Sequence, residues 1–237
     1  MANEKVLSKT LNDVYNQTIA LDKKCTKDLV QEYLKVVSEV MDQLKQTNKL
    51  FQNIYSGIFF TGSYYDGLRV SEATEFDLDV ILKLPVNVDK LKIITQKVYP
   101  GYVKINLADE IKWLRQHPRW TEIYREIDYW ITPEGYLSEG KLNQWFESIL
   151  NKSLEKRSQD GFQAKVKLSK SGPAITLKLL SLSPKIDIDL VPVFQFQHPL
   201  WPNLPVRQYN NEPKKTWFIV PKKKNDQSRI FWRLAFP

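Results

Sequence analysis

The hydrophobic positions of this chain change period several times. Between residues 6 and 50, Val30, Leu34, Val37, Met41 and Leu44 recur at helical spacing, with charges between them and no Gly or Pro. Such spacing puts the apolar side chains on one helical face, which predicts one long helix or two abutting ones. Gly57 marks a switch to strand-like sequence. Residues 58–60, Ile-Phe-Phe, predict a short buried strand ending in the turn Thr61-Gly62-Ser63. Residues 76–84 alternate, with Phe76, Leu78, Val80 and Leu82 apolar, and stop before Pro85. Residues 102–107 predict a further strand.

Residues 109–158 read as helical and aromatic-rich, broken at Pro118 and Pro133. They carry Trp113, Trp120, Trp130 and Trp145, which are expected to pack in the core. Residues 162–168, 174–180 and 185–193 predict three strands joined by short turns, a meander. After a loop-rich stretch from Pro202, residues 216–220 and 230–236 again look strand-like. Helices and strands are segregated along the chain, which indicates an α+β fold. The division expected is a helical segment over 1–55 and a sheet-centred core over 56–237.

Composition narrows the class. The chain has 237 residues, 42% hydrophobic and 26% charged, enough apolar sequence for a real core and against disorder. Net charge is +8, and residues 203–237 hold eight basic and two acidic residues, hence +6 of it. That excess favours a polyanionic partner or substrate. Cys25 is alone, which excludes an intrachain disulfide and suits a reducing compartment. No secretory leader and no apolar run of membrane-spanning length is evident, so a cytoplasmic location is expected.

The candidate chemistry lies in the acids. On a strand, residues two apart share a face. Glu75, Asp77 and Asp79 therefore project together, as do Asp187 and Asp189. Two such groups set in otherwise apolar β sequence are costly unless cations neutralise them. Two-metal nucleotidyl transfer needs such converging carboxylates. Twelve positions before Glu75 stands Ser63, after Gly62. Gly permits close backbone approach to phosphate oxygens and Ser adds a hydroxyl donor. Periodicity separates neither Glu75/Asp77 from Asp77/Asp79 nor Asp187 from Asp189.

Thr61-Gly-Ser-Tyr-Tyr65 and Glu75-Phe-Asp77, followed by Lys83-Leu84-Pro85, resemble the nucleotidyltransferase core of the cyclic GMP–AMP synthases and their animal cGAS-like receptors. The segments Ser171-Gly-Pro-Ala-Ile-Thr-Leu177, Asp189-Leu-Val-Pro-Val-Phe194 and Trp217-Phe-Ile-Val-Pro-Lys222 agree in order, as does Trp232-Arg-Leu-Ala-Phe236. The resemblance implies a polymerase-beta-like nucleotidyltransferase fold: a long N-terminal spine helix and a mixed β-sheet core. It also implies a helical C-terminal lobe, which is expected to be absent from this chain.

The same resemblance implies site roles. Glu75, Asp77 and Asp189 match the family's ligands for Mg²⁺, with Mn²⁺ as a substitute. Gly62 and Ser63 match its phosphate turn, and Asp79 and Asp187 fall beside the ligands as charge-balancing residues, Asp187 within the nucleotide site. Arg233 matches an arginine that contacts nucleobase. The substrates implied are ATP and GTP, the product a cyclic dinucleotide of innate immune, antiviral signalling, and the activator double-stranded nucleic acid, RNA before DNA. Duplex would be received by basic residues of the long helix, Lys23, Lys24 and Lys27, and of a second cluster, Lys152, Lys156 and Arg157. A homodimer on the ligand is a further expectation.

Overall fold

The computed structural model describes residues 2–14, 23–68, 74–95, 99–156, 166–180, 182–197, 216–222 and 228–236. Of the stretch over 6–50, expected as one long helix or two abutting ones, the described residues show α1 (Ala2–Val14), α2 (Lys23–Thr47) and α3 (Lys49–Ile54), and residues 15–22 lie outside them. The break between α2 and α3 falls at Asn48, whose backbone is extended and whose side chain accepts a bond from the Phe51 amide. Asn competes for such caps more readily than for a helix interior. On α2 the buried residues are Tyr33, Val37, Val40, Met41 and Leu44, the expected stripe shifted by a fraction of a turn.

The strands follow. β1 (Tyr55–Thr61) runs into the single turn α4 (Gly62–Tyr65), and then come β2 (Glu75–Leu82), β3 (Lys92–Thr95) and β4 (Tyr102–Asn106). β3 has no counterpart among the strands expected from the sequence. Helix α5 (Ala108–Arg115), a π-helical turn at Trp120–Tyr124, α6 (Ile127–Trp130) and α7 (Glu139–Lys156) fill the helical region. The meander is present as β5 (Val166–Ser171), β6 (Ala174–Leu179) and β7 (Ile186–Gln197), with residues 162–165 of its expected first strand outside the described residues, and β8 (Thr216–Pro221) and β9 (Trp232–Ala235) close the sheet.

The nine strands among the described residues form one mixed sheet in the order β1-β2-β7-β8-β9-β4-β3, with β5 and β6 branching from β7. β2 and β7 are parallel, and the remaining pairs of these strands are antiparallel. One edge of the long β7 is shared: Ile186–Leu190 pairs with β6 and Phe194–Gln197 with β8. Even-numbered residues of β2 and β7, Phe76, Leu78, Val80, Ile188 and Leu190 among them, pack into a core with α2, α3 and α7. Odd-numbered residues face the other way. There Ile81, Val193 and Phe218 form a second, smaller cluster, and the acids lie at its end.

Two expectations are corrected. Phe60 is 39% exposed rather than buried, because β1 is an edge strand with β2 as its neighbour. Trp113 is 51% exposed, unlike the buried Trp120, Trp130 and Trp145. The inward face of α5 is Glu110, Ile111 and Leu114, and a residue two positions from Ile111 points away from it.

Candidate active site

The register of the central strands builds the site. Asp77 on β2 is directly opposite Asp189 on β7, and Glu75 is opposite Asp187. β6 extends both rows, with Thr176 opposite Asp189 and Lys178 opposite Asp187. On the other side Thr61, the last residue of β1, is opposite Asp77. Neighbouring strands lie about 4.8 Å apart, so side chains of one row meet. Thr176 Oγ1 donates to Asp189 Oδ1 at 2.6 Å, and Lys178 Nζ donates to Asp187 Oδ2 at 2.7 Å.

The Gly62–Tyr65 turn hangs over this row. Gly62 has φ +82, and a Cβ there would meet Asp77 Oδ2 at 2.0 Å. Only glycine lets the carboxylate come this close. Thr61 Oγ1 donates to the Asp77 carbonyl at 3.3 Å. The turn is anchored from beneath by aromatics: Tyr64 packs edge-on to Phe76 at 5.0 Å, and Tyr33 of α2 lies 4.2 Å from the same ring. The Tyr33 and Tyr65 hydroxyls are hydrogen-bonded to each other, and burial pushes both phenols above their ordinary pKa.

One row further along, Asp79 is buried between β1 and β7, opposite Phe59 and Val191. Burial pushes its carboxyl up to about 7, and the charge of Asp77 adds to the effect. A cavity of about 390 Å³ opens over the rows, lined by Ser63, Glu75, Asp77, Lys178, Asp187 and Asp189.

The donor set consists of oxygens, the chemistry that Mg²⁺ and Mn²⁺ prefer. Among the described residues no three acidic side chains converge closely enough to enclose an ion as they stand. Asp189 is turned to Thr176, and Asp77 lies against Gly62. The residues fit a divalent ion by donor type and by the register that sets Asp77 beside Asp189.

Residues 64–237 match the Mab-21 protein nucleotidyltransferase domain. The chain belongs to the Mab-21 nucleotidyltransferase family. The α+β sheet described above is therefore a nucleotidyltransferase fold, and the matched span holds Glu75, Asp77 and Asp189.

Relatives within the family agree. The chain is 38% identical to a cyclic GMP-AMP synthase-like receptor of Aethina tumida, over 85% of this chain and 52% of that protein. It is 33% identical to one of Microplitis demolitor, over 98% and 45%, and 30% identical to one of Tribolium castaneum, over 95% and 60%. The chain spans about half the length of the curated relatives it matches.

For this Mab-21 family member, Gly62, Ser63, Glu75, Asp77, Asp187 and Asp189 come together at one cleft. Arg233 does not line it. It is exposed on β9, opposite Val220 and Tyr102, two strands and four residues from Asp189, about 16 Å by strand geometry. Lys152 and Lys156 are exposed on α7 and line a separate groove of about 780 Å³ with Asn48, Arg125 and Tyr129. Lys23, Lys24 and Lys27 belong to the first turns of α2, with side chains outside the described set, and Arg157 lies outside the described residues. Thr176 and Lys178 join the site without appearing among the sequence candidates. Their signal is two polar residues at alternate positions of the apolar run Ala174–Leu179. Among the described residues no helix is long and apolar enough to cross a membrane.

Proposed function

We propose that this chain is the nucleotidyltransferase core of a nucleic-acid-activated enzyme that joins ATP and GTP into a cyclic dinucleotide second messenger in innate immune signalling, with double-stranded RNA favoured as activator. The observation that carries the reading is the register of Asp77 against Asp189 beneath the Gly62-Ser63 turn. The relatives, named cyclic GMP-AMP synthase-like receptors, support the substrate and product.

Glu75, Asp77 and Asp189 would hold two Mg²⁺ or Mn²⁺ ions. Bound there, the ions would activate the acceptor ribose hydroxyl and offset the charge on the leaving pyrophosphate. The hydroxyl attacks the α-phosphorus of the donor triphosphate, and pyrophosphate leaves. Ser63 anchors the donor phosphates. Thr176 fixes the rotamer of Asp189, and Asp187 with Lys178 sets the charge at the cleft wall. Arg233 is the candidate base contact, reaching nucleotide from further along the sheet. Lys23, Lys24, Lys27, Lys152, Lys156 and Arg157 are the candidate duplex contacts, acting through phosphates.

The test is incubation with labelled ATP and GTP, Mg²⁺ and either duplex RNA or duplex DNA, in the chain and in a version extended to the length of its relatives. A phosphatase-resistant product that needs one duplex and disappears in Glu75→Ala/Asp77→Ala supports the reading. Full activity of that double variant overturns it. A second reading is a family member that binds nucleotide or nucleic acid without catalysis. Nucleotide binding with no product under either duplex would favour it.

A further inference from the structure

We propose that Lys178 is a phosphate-binding residue of this cleft, balancing Asp187 when no nucleotide is present and receiving the polyphosphate tail of a nucleoside triphosphate when one enters. The proposal rests on the nucleotidyltransferase reading and assigns its substrate contact to a residue of β6.

Four carboxylates, Glu75, Asp77, Asp187 and Asp189, share the cavity with Ser63. Two divalent ions would cancel them, and a triphosphate then adds about four negative charges of its own. Cations of the chain must meet that excess. Lys178 is placed for it, because it lines both the cavity with Ser63 and an adjoining one of about 410 Å³ that holds Thr74 and Lys185. Its ammonium has three donors, and the contact to Asp187 takes one of them.

The pair with Asp187 is a weak hold. Both side chains are 38% exposed, and exposed pairs add little to stability. Exchange toward a more highly charged phosphate is therefore inexpensive, and such charge-assisted bonds are the stronger kind. A second observation argues against a purely structural lysine. On its other side Lys178 is directly opposite Lys167 of β5, and like charges facing across antiparallel strands are unfavourable. The row Lys167, Lys178, Asp187 and Glu75 is balanced while the two acids are free, and the two lysines are left facing each other once cations take up the acids. An anion entering the cleft relieves the repulsion.

Lys178→Met keeps the length of the side chain and removes its charge at a half-exposed position. Calorimetry with Mg²⁺ and inorganic tripolyphosphate, with adenosine as the uncharged control and circular dichroism to confirm the fold, tests the assignment. Tripolyphosphate affinity is expected to fall about tenfold, adenosine binding to stay level, and Lys178→Arg to restore binding to within about threefold. Equal tripolyphosphate affinity in wild type and Lys178→Met, with wild type still binding Mn²⁺ and Mg·ATP, removes Lys178 from the site and leaves the nucleotidyltransferase reading standing. A wild type that binds neither Mn²⁺ nor Mg·ATP overturns both.

Discussion

The carboxylate of Asp77 lies against the α-carbon of Gly62, so that a Cβ at position 62 would stand 2.0 Å from Asp77 Oδ2 and 2.8 Å from its Cγ. The turn and the acid row are thus built into each other. Gly62→Ala must both adopt φ +82 and push the carboxylate aside. The strained backbone alone costs about 1–2 kcal/mol. Thermal unfolding should show that loss. Mn²⁺ binding, followed by electron paramagnetic resonance, should weaken at least tenfold at temperatures where the variant is still folded. Undiminished Mn²⁺ affinity would separate the turn from the metal site.

Asp189 is expected to lower stability while serving chemistry. It stands in a row of like charges beside Asp77, and carboxylates at adjacent positions repel unless a cation joins them. Asp189→Asn keeps an oxygen to accept from Thr176 and removes the charge. In metal-free buffer its melting temperature should equal or exceed that of the parent. Nucleotidyl transfer should fall by about two to three orders of magnitude, as for loss of a charge-stabilising group in a transition state. A variant that melts several degrees lower would show that Asp189 is held for structural reasons.

Asp79 makes stability depend on pH. Its folded value of about 7 is raised from the ordinary 3.8, so the fold prefers the protonated acid. The stabilisation is full below about pH 4 and is lost as pH rises through the folded value near 7. A rise from 3.8 to about 7 corresponds to about 4 kcal/mol at full ionisation. In EDTA, Asp79→Asn should therefore gain stability over the parent progressively between pH 4 and pH 7, then by a constant amount. Urea unfolding at pH 4.5, 6 and 8 measures it. Parallel curves for the two proteins would mean that Asp79 is not the titrating group.

The periodic parts of the chain are legible in the sequence itself. The alternation in β2 and β7 places Glu75, Asp77, Asp187 and Asp189 on one face, and the stripe from Val37 to Leu44 predicts α2. What stays hidden depends on neighbours distant in sequence. Nothing local to Ile58–Phe60 says that β1 is an edge strand, so the exposure of Phe60 cannot be read there. Trp113 resembles its buried counterparts in residue type and differs from them only in helix phase. β3 is four residues long, too short to show a period. Thr176 and Lys178 acquire roles only through the cross-strand register with Asp189 and Asp187, which no spacing along the chain encodes. Likewise the separation of Arg233 from the acids is set by two intervening strand pairings.

The break between α2 and α3 carries the last prediction. Asn48 Nδ2 donates to both carboxylate oxygens of Glu126, at 3.2 and 3.1 Å, while its Oδ1 accepts from Phe51 N at 2.7 Å. Trp145 Nε1 on α7 donates to Glu126 Oε2 at 2.5 Å. One half-buried carboxylate therefore ties the end of the long helix to α7, at the groove where Lys152 and Lys156 stand. Glu126→Ala removes the acceptor for both donors, and Trp145 is only 5% exposed. A charged acceptor lost in this way costs about 2–3 kcal/mol. Glu126→Gln keeps the shape and one good acceptor oxygen, so it should cost about 1 kcal/mol. Urea unfolding should rank the three proteins in that order. Mn²⁺ affinity should stay the same in all of them, because the clasp lies on the helical side of the sheet and the acids on the other. If Glu126→Ala instead weakens Mn²⁺ binding without loss of stability, the helix break and the acid row are coupled through the sheet.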